Sequence, residues 1–283
     1  MRLIAALLAA SLSTAAIAQD KAQPATQPAS KPTAPAAVAP IPEQPVSKAI
    51  PVPDGPVVKK TELEGGIIAE DIKIGDGYEV KEGGAVVALY HGTLKDGGKK
   101  FDSAFERGEP IAFPLSGVIK GWQKGVPGMK IGGIRRLTIP AAMGYGAQGA
   151  GADIPPNADL VFIIQLVDAI QVEDTKVGEG ELAASGQCVA VTAYTIKDKD
   201  GKEIEKADAA KPYIWFPGEF QAISFGLEGM KAGGHRKITV PKEMNVTSPQ
   251  IPTNRPANVP LVIEVDLIAF RNLRGQTNNT EAN

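Results

Sequence analysis

The chain repeats itself once at the scale of a whole domain. "DIKIGDG" at 71–77 returns as "DTKVGEG" at 174–180, a shift of 103 residues, and "GMKIGGIRRLTIP" at 128–140 returns as "GMKAGGHRKITVP" at 229–241, a shift of 101. The units of stacked repeat proteins are shorter, at about 20 to 50 residues. The sequence therefore predicts two tandem domains of one fold, divided near residue 172.

Each copy consists mostly of short strand-like segments. "AVVALYHGTL", "IRRLTIP" and "LVFIIQLVDA" are rich in β-branched or alternating apolar residues and are bounded by Gly, Asp or Pro. One helix is predicted in "SGVIKGWQKGV", where Ser116 can cap the start and Val118, Trp122 and Val126 recur at four-residue spacing. Strands outnumber helices in a compact antiparallel arrangement, which indicates the α+β class.

The first 18 residues have the pattern of a secretory signal peptide. Arg2 precedes an uncharged apolar run that ends in "AIA" at 16–18, a small-residue cleavage pattern. The run is too short to span a bilayer, which argues against a membrane anchor. We therefore expect a signal peptide at 1–18 and an exported chain, most simply in a bacterial periplasm.

Composition divides the rest of the chain. Proline and alanine dominate 19–62, which predicts a disordered linker because such a segment cannot bury a core. The two domains are then expected at 63–171 and 172–272, followed by a disordered tail at 273–283. The net charge of -2 argues against a nucleic-acid partner.

The stretch "GYGAQGAGADIPPNADLVF" at 144–162 contains the G-x-G-x-x-G spacing of a dinucleotide-binding loop. That loop works only if its last glycine opens a helix that crosses to a parallel strand. Pro155 and Pro156 fall where the helix would run, so we interpret the stretch as a loop between two strands. Neither a cofactor nor a metal site is predicted, and the two histidines, His91 and His235, stand at unrelated positions in the two copies.

Aromatic residues differ between the copies. The simple alignment pairs five aromatics of the first copy with smaller residues of the second: Tyr90 with Thr192, Phe101 with Ile204, Trp122 with Ile223, Tyr145 with Val246 and Phe162 with Ile263. Core packing alone would demand similar volumes at matching places. The sequence therefore predicts that these aromatics line a shared concave site in the first copy.

The segments "KKFDS", "VIKGW", "GYGA" and "IPPNADLVF" resemble those of the FKBP-type peptidyl-prolyl cis-trans isomerases, and the resemblance runs from about Gly66 to Ile170. It implies two tandem FKBP-like domains, the second degenerate, each with a twisted antiparallel sheet wrapped around a short helix. An apolar pocket would lie between sheet and helix. Its substrate-binding residues would be Tyr90, Phe101, Phe113, Val118, Trp122, Ile154 and Phe162.

The resemblance assigns catalytic roles to three further residues. The Ile119 backbone N–H and the Tyr145 hydroxyl would hydrogen-bond substrate carbonyls, and Asp102 would orient its neighbours or respond to the amide dipole, without acting as a general base. The implied reaction is rotation about Xaa-Pro bonds, which breaks no covalent bond and uses no cofactor. The implied partners are proline-containing polypeptides of exported proteins and macrolide inhibitors.

Two functions remain open at this stage. The first is a folding catalyst in which only the first domain is active. The alternative is a non-catalytic peptide-binding chaperone or assembly module that uses the same pocket. The second copy is interpreted as an accessory domain, with Tyr213, Trp215 and Phe216 of "YIWFPGEF" at a site that the first copy's pocket does not match.

Overall fold

The computed structural model describes residues 48–183, 188–246 and 255–273. The predicted signal peptide, the linker up to residue 47 and the tail from residue 274 lie outside the described residues. Within the described parts of the chain, no helix is both long and apolar enough to cross a membrane.

Two antiparallel sheets carry the fold. The strands of the first are β1 (Lys59–Leu63), β2 (Ile67–Lys73), β3 (Ala85–Leu94), β4 (Lys100–Ser103), β5 (Ile111–Pro114), β6 (Ile134–Ile139) and β7 (Leu160–Ala169). Their order is β1-β2-β6-β7-β3-β4, and β5 pairs with β3. The short helices α1 (Ala104–Arg107) and α2 (Lys120–Gly125) belong to this domain.

The second sheet has strands β8 (Gln171–Lys176), β9 (Cys188–Asp198), β10 (Glu203–Ala207), β11 (Tyr213–Trp215), β12 (His235–Val240) and β13 (Leu261–Asn272), with α3 (Gln221–Gly226). Its order is β10-β9-β13-β12-β8, and β11 pairs with β9. The order repeats that of the first sheet from β4 to β2, and α3 corresponds to α2, which confirms the predicted tandem pair of sheet-rich domains with short helices.

Ordered structure begins before residue 63. Strand β1 lies in the range predicted as linker and pairs with β2 from Lys59–Asp71 to Leu63–Ile67. The chain ahead of it also contacts the domain, because the Ile50 N–H donates to the Phe105 carbonyl at 2.8 Å. The proline-rich composition hid this strand, since "KKTEL" offers little apolar surface and is held by the edge of the sheet.

Helix α2 begins later than the sequence suggested. Ser116 lies in a separate 3-10 turn, Leu115–Gly117, and does not cap α2. Val118 is extended, with φ −102° and ψ 173°, which separates the turn from the helix. Ile119 is the N-cap residue instead, without a side-chain cap.

Both domains fix their helix to the sheet in the same way. Arg135 on β6 pairs with Asp71 through Nε at 2.6 Å and donates from Nη1 to the carbonyl of Gly125, the last residue of α2. Arg236 repeats the arrangement with Asp174 at 2.6 Å and with Gly226 at the end of α3. The Arg135–Asp71 pair is buried, whereas Asp174 of the second pair is exposed. In each domain the charge-assisted hydrogen bonds tie the end of the helix to the sheet, and in the first domain the helix carries Trp122.

Candidate active site

An open cavity of about 540 Å³ lies between α2, the concave face of the first sheet and the β6–β7 loop. All ten residues that the resemblance singled out line it. They are Tyr90, Phe101, Asp102, Phe113, Val118, Ile119, Trp122, Tyr145, Ile154 and Phe162. Gly117, Ala150 and Asp153 complete the lining.

Trp122 is the floor of the cavity. It sits on α2 and is 4% exposed. The rings of Tyr90, Phe113 and Phe162 surround it edge-on, with centroids at 5.7, 5.5 and 5.4 Å. Such T-shaped contacts are favourable beyond the area they bury, so the neighbouring rings hold the Trp122 indole in place.

Gly92 makes room for the rings on the sheet side. It faces Phe162 across the β3–β7 pair, and a Cβ at this position would lie 2.6 Å from the Phe101 ring and 3.0 Å from the Phe162 ring. The two phenylalanines meet there at 5.5 Å between centroids. A glycine is therefore required for this aromatic wall.

Asp102 belongs to a hydrogen-bond network that includes a residue the sequence analysis missed. The Tyr90 hydroxyl and Arg107 Nη1 both donate to Asp102, and Arg107 Nη2 lies 2.9 Å from the Tyr90 oxygen. Arg107 reaches this place from α1, which Ser103 caps through the Glu106 N–H. The signal available in the sequence was a basic residue five positions after Asp102, in the last turn of a helix only four residues long.

The network fixes the protonation of its members. Burial alone would raise the pKa of Asp102, but hydrogen bonds from Arg107 and Tyr90 outweigh it and bring the pKa below the usual value. Burial, and then the bond to Asp102, raise the pKa of Tyr90 to about 12. Burial and the charge of Asp102 also raise the pKa of Tyr145. At neutral pH the site holds a carboxylate and two neutral phenols.

The two groups that the resemblance assigns to peptide binding stand at the mouth of the cavity. Tyr145, 39% exposed, projects from the β6–β7 loop, and Ile119 precedes α2. The lining residues include no Ser, Cys, His or Lys. Within the described segments, no group of three or more His, Cys, Asp or Glu side chains stands close enough to hold a metal ion.

The second domain keeps part of this site, and strand pairing corrects two of the sequence assignments. Tyr90 pairs with Ile164 as Tyr194 pairs with Val265, so the counterpart of Tyr90 is Tyr194 and not Thr192. The same register places Glu205 at the position of Asp102 and Trp215 at that of Phe113. Trp215 therefore does match the first copy's pocket. The Tyr194 hydroxyl bonds to Glu205 as Tyr90 bonds to Asp102.

The second domain nevertheless differs at two positions of this site. Ile196, fully buried, takes the position of Gly92. Arg255 stands where the repeat places Ile154. It is 7% exposed, lies 4.1 Å from the Phe220 ring centroid and pairs with Glu205 at 3.1 Å. Ile196 thus takes the place that Gly92 leaves for aromatic rings in the first domain, and a charged Arg255 replaces the apolar Ile154.

The first domain presents an apolar, ring-lined cavity with hydrogen-bonding groups at its mouth and no nucleophile in its lining. Such a cavity is suited to holding an apolar ring of a ligand while a few polar groups fix its orientation. The family model described as FKBP-type peptidyl-prolyl cis-trans isomerase matches residues 77–167 and 180–268, together more than half of the chain.

Curated relatives match one domain each. The probable FK506-binding protein of Corynebacterium glutamicum is 46% identical over 103 residues, which covers 36% of this chain and 86% of the relative. The FK506-binding protein of Neisseria meningitidis serogroup B is 49% identical over 105 residues, covering 36% and 95%. The crystal structure of FkpA from Escherichia coli aligns at 41% identity and a TM-score of 0.37, over 39% of this chain and 51% of that one.

The chain belongs to the FKBP-type peptidyl-prolyl cis-trans isomerase family. Its activity is therefore the rotation of Xaa-Pro peptide bonds, and proline-containing polypeptides are its substrates. The family and the activity predicted from the sequence are confirmed, and the comparisons do not favour the non-catalytic alternative.

Proposed function

We propose that the first domain, predicted at 63–171, carries the isomerase activity and that its ring-lined cavity binds the substrate proline. The proline ring lies on Trp122 between Phe113 and Phe162. The Ile119 N–H and the Tyr145 hydroxyl bind substrate carbonyls at the mouth. The observation that carries this proposal is the convergence of all ten predicted residues on one cavity of about 540 Å³.

The cavity lowers the rotation barrier because it stabilises the twisted amide more than the planar amide. The planar amide owes its barrier of about 18 to 20 kcal/mol to a charge-separated resonance form that water solvates well. Trp122 and Phe162 exclude that water, whereas the bonds at the mouth hold the flanking peptide through the twist. Only such differential stabilisation accelerates the step.

Asp102 acts on substrate through fixed charge. Held by Arg107 and Tyr90, it stays ionised and cannot take up a proton at neutral pH. Its carboxylate orients the Tyr90 ring that borders Trp122 and presents a constant negative charge to the rotating amide. The second domain is an accessory domain without isomerase activity, because Ile223 and Ile263 stand at the positions of Trp122 and Phe162 and it therefore lacks the rings on which proline would lie.

Relaxation of an Xaa-Pro peptide, followed without a coupling protease, tests the assignment on the chain from Gln19 to Asn283. Tyr145→Val with Phe162→Ile copies the second domain's residues into the first. The double variant should lower kcat/KM about 30-fold, since it removes one hydrogen bond and one aromatic contact. The matched control is Tyr213→Val, which removes an equally exposed tyrosine, 39%, from the second domain.

The two variants separate the domains. Unchanged activity in Tyr213→Val beside a strong loss in the double variant supports catalysis in the first domain. Equal losses would assign activity to the second domain as well. A folded wild-type chain that leaves the uncatalysed rate unchanged would show that the cavity only binds.

We also propose that the chain is exported and acts on exported proteins as they fold. The support is the sequence of residues 1–18, with Arg2, an uncharged apolar run and the "AIA" cleavage pattern. Amino-terminal sequencing of the protein recovered from a bacterial periplasm should read from Gln19. Recovery of the uncleaved chain from the cytoplasm contradicts export.

We expect a macrolide to compete with peptide substrates for the same cavity.

A further inference from the structure

A tight turn sets Asp153 at the mouth of the cavity. The Ala150 N–H donates to the Ile154 carbonyl at 2.9 Å, and the Ile154 N–H donates to the Ala150 carbonyl at 3.1 Å. These reciprocal bonds close the turn and direct the buried Ile154 side chain into the wall. Asp153 precedes Ile154 and its side chain is 62% exposed, so its carboxylate lies at the rim of an apolar wall.

The charged residues of the cavity lining are Asp102 and Asp153, and both are acidic. They differ in how their charge is held. Asp102 accepts hydrogen bonds from Tyr90, Arg107 and the Ser103 N–H, and its compensating guanidinium is fixed beside it. It is therefore committed to the protein's own groups.

Asp153 has a replaceable partner. Lys99 Nζ lies 3.0 Å from its carboxylate, and the two side chains are 59% and 62% exposed. Exposed ion pairs of this kind are weak, because both charges are well hydrated and both side chains lose freedom on pairing. A second cation brought to the rim by a bound peptide can take the place of Lys99.

We propose that Asp153 determines specificity and makes the isomerase favour Xaa-Pro bonds in which Xaa is lysine or arginine. The inference rests on the active site proposed above. When the proline ring fills the interior over Trp122, the preceding residue is held at the mouth, within reach of the Asp153 rim. The methylene stem of lysine or arginine lies along the apolar wall of Ala150 and Ile154, and the cationic end meets the carboxylate.

The charge state of the mouth agrees with this specificity. Tyr145, on the same loop, has its pKa raised by burial and then by the charge of Asp102, so its phenol is neutral and offers no charge to compete with Asp153. A glutamate before proline would meet the Asp153 carboxylate and is disfavoured. An apolar residue before proline gains only the contact with the apolar wall of Ala150 and Ile154.

The test measures kcat/KM for three peptides that differ only before proline, with lysine, norleucine or glutamate there. Norleucine has the lysine stem without the charge, so the lysine-to-norleucine ratio isolates the ion pair. In the wild-type chain we expect a ratio of about three, the size of an exposed ion pair, and the lowest value for glutamate. The ratio should fall as salt concentration rises.

Three variants make the result specific. Asp153→Asn should bring the ratio to about one, whereas Lys99→Met should raise it because the competing cation is gone. Asp96→Asn is the matched control: it removes the same charge from an exposed turn residue that does not line the cavity, and it should leave the ratio unchanged.

Activity towards the norleucine peptide reports the isomerase site, and the ratio reports the inference, so the two can fail separately. Equal ratios in the wild type and Asp153→Asn overturn the inference, even if all three peptides are isomerised. A lysine preference that Lys99→Met abolishes also overturns it, because Lys99 and not Asp153 would then be its source.

Discussion

Tyr90, Asp102 and Arg107 act as one unit at the wall of the cavity. Each side chain bonds to the other two, and the Arg107 guanidinium also lies 5.7 Å from the Tyr90 ring centroid. The unit keeps one carboxylate charged and one phenol neutral over a wide pH range. In the mechanism proposed above, it positions the Tyr90 ring and supplies a fixed charge, without taking part in proton transfer.

The isomerase should therefore show a flat pH profile. The pKa of Asp102 lies below its ordinary value and those of Tyr90 and Tyr145 lie above theirs, so none of these three groups changes charge between about pH 5 and pH 9. The expected result is a kcat/KM for a norleucine peptide that is constant across this range. A bell-shaped profile within it would contradict the proposal and indicate general acid–base catalysis.

The same network determines whether the fold becomes more or less stable as pH falls. Because the folded protein lowers the pKa of Asp102, its ionised form stabilises the fold above the ordinary pKa of an aspartate. That contribution is lost as pH falls through the folded-state value. Loss of stability from this source belongs to acid pH and does not disturb the flat range.

At the scale of elements, α2 must approach the sheet closely for Trp122 to form the floor. Gly121 allows this, since a Cβ there would lie 2.4 Å from Ile139 on β6. The second domain has Ala222 and Val240 at the matching positions, both fully buried. Compared with the first domain, the second has one more methyl group on the helix and one fewer on the strand, so the total side-chain volume is about the same.

This exchange predicts a double-mutant cycle. Gly121→Ala alone should lower the free energy of unfolding by about 1 to 3 kcal/mol, because the stiff Ile139 side chain cannot yield. Ile139→Val alone should cost about 0.5 to 1.5 kcal/mol. The double variant should be more stable than Gly121→Ala. Chemical denaturation measures all three, and simple additivity would show that the two residues do not share the space.

At the scale of the whole molecule, strand β3 contributes side chains to the hydrophobic cores of both domains. Strand β3 is buried along most of its length. Val86 and Ala88 pack in the first domain, whereas Ala85 and Val87 pack against the core of the second, near Ile170. This is why "AVVAL" is continuously apolar: neither face of the strand meets water.

A second contact joins the domains at Gly83. Its φ is +72°, and a Cβ there would lie 2.0 Å from a carboxylate oxygen of Glu228. Gly83→Ala should therefore weaken the interface as well as strain the turn, and lower the thermal midpoint. Gly97→Ala is the matched control, since Gly97 has a φ of +75° and open space around its Cβ.

The difference between the thermal midpoints of these two variants measures the contribution of the Glu228 contact to the interface. Both bear the cost of about 1 to 2 kcal/mol for a side chain in the left-handed region. We expect calorimetry of Gly83→Ala to give the lower midpoint and to separate the unfolding of the two domains. Identical midpoints would mean that the Glu228 contact contributes nothing.

The sequence by itself determined the tandem repeat, the family, the reaction and the residues around the cavity. It could do so because "KKFDS", "VIKGW", "GYGA" and "IPPNADLVF" carry most of the cavity in short segments of fixed spacing. Local patterns of this kind do not depend on how distant strands pair.

Only the tertiary structure decided the rest. A shift of two residues along a strand keeps the same faces in and out, so the apolar pattern could not tell Thr192 from Tyr194 as the counterpart of Tyr90, and pairing with β13 was needed. For a related reason, the sequence did not predict the roles of Arg107 and Arg255 or the second buried face of β3. Each acquires its partners from a different element, and contacts across a fold depend on where those elements pack.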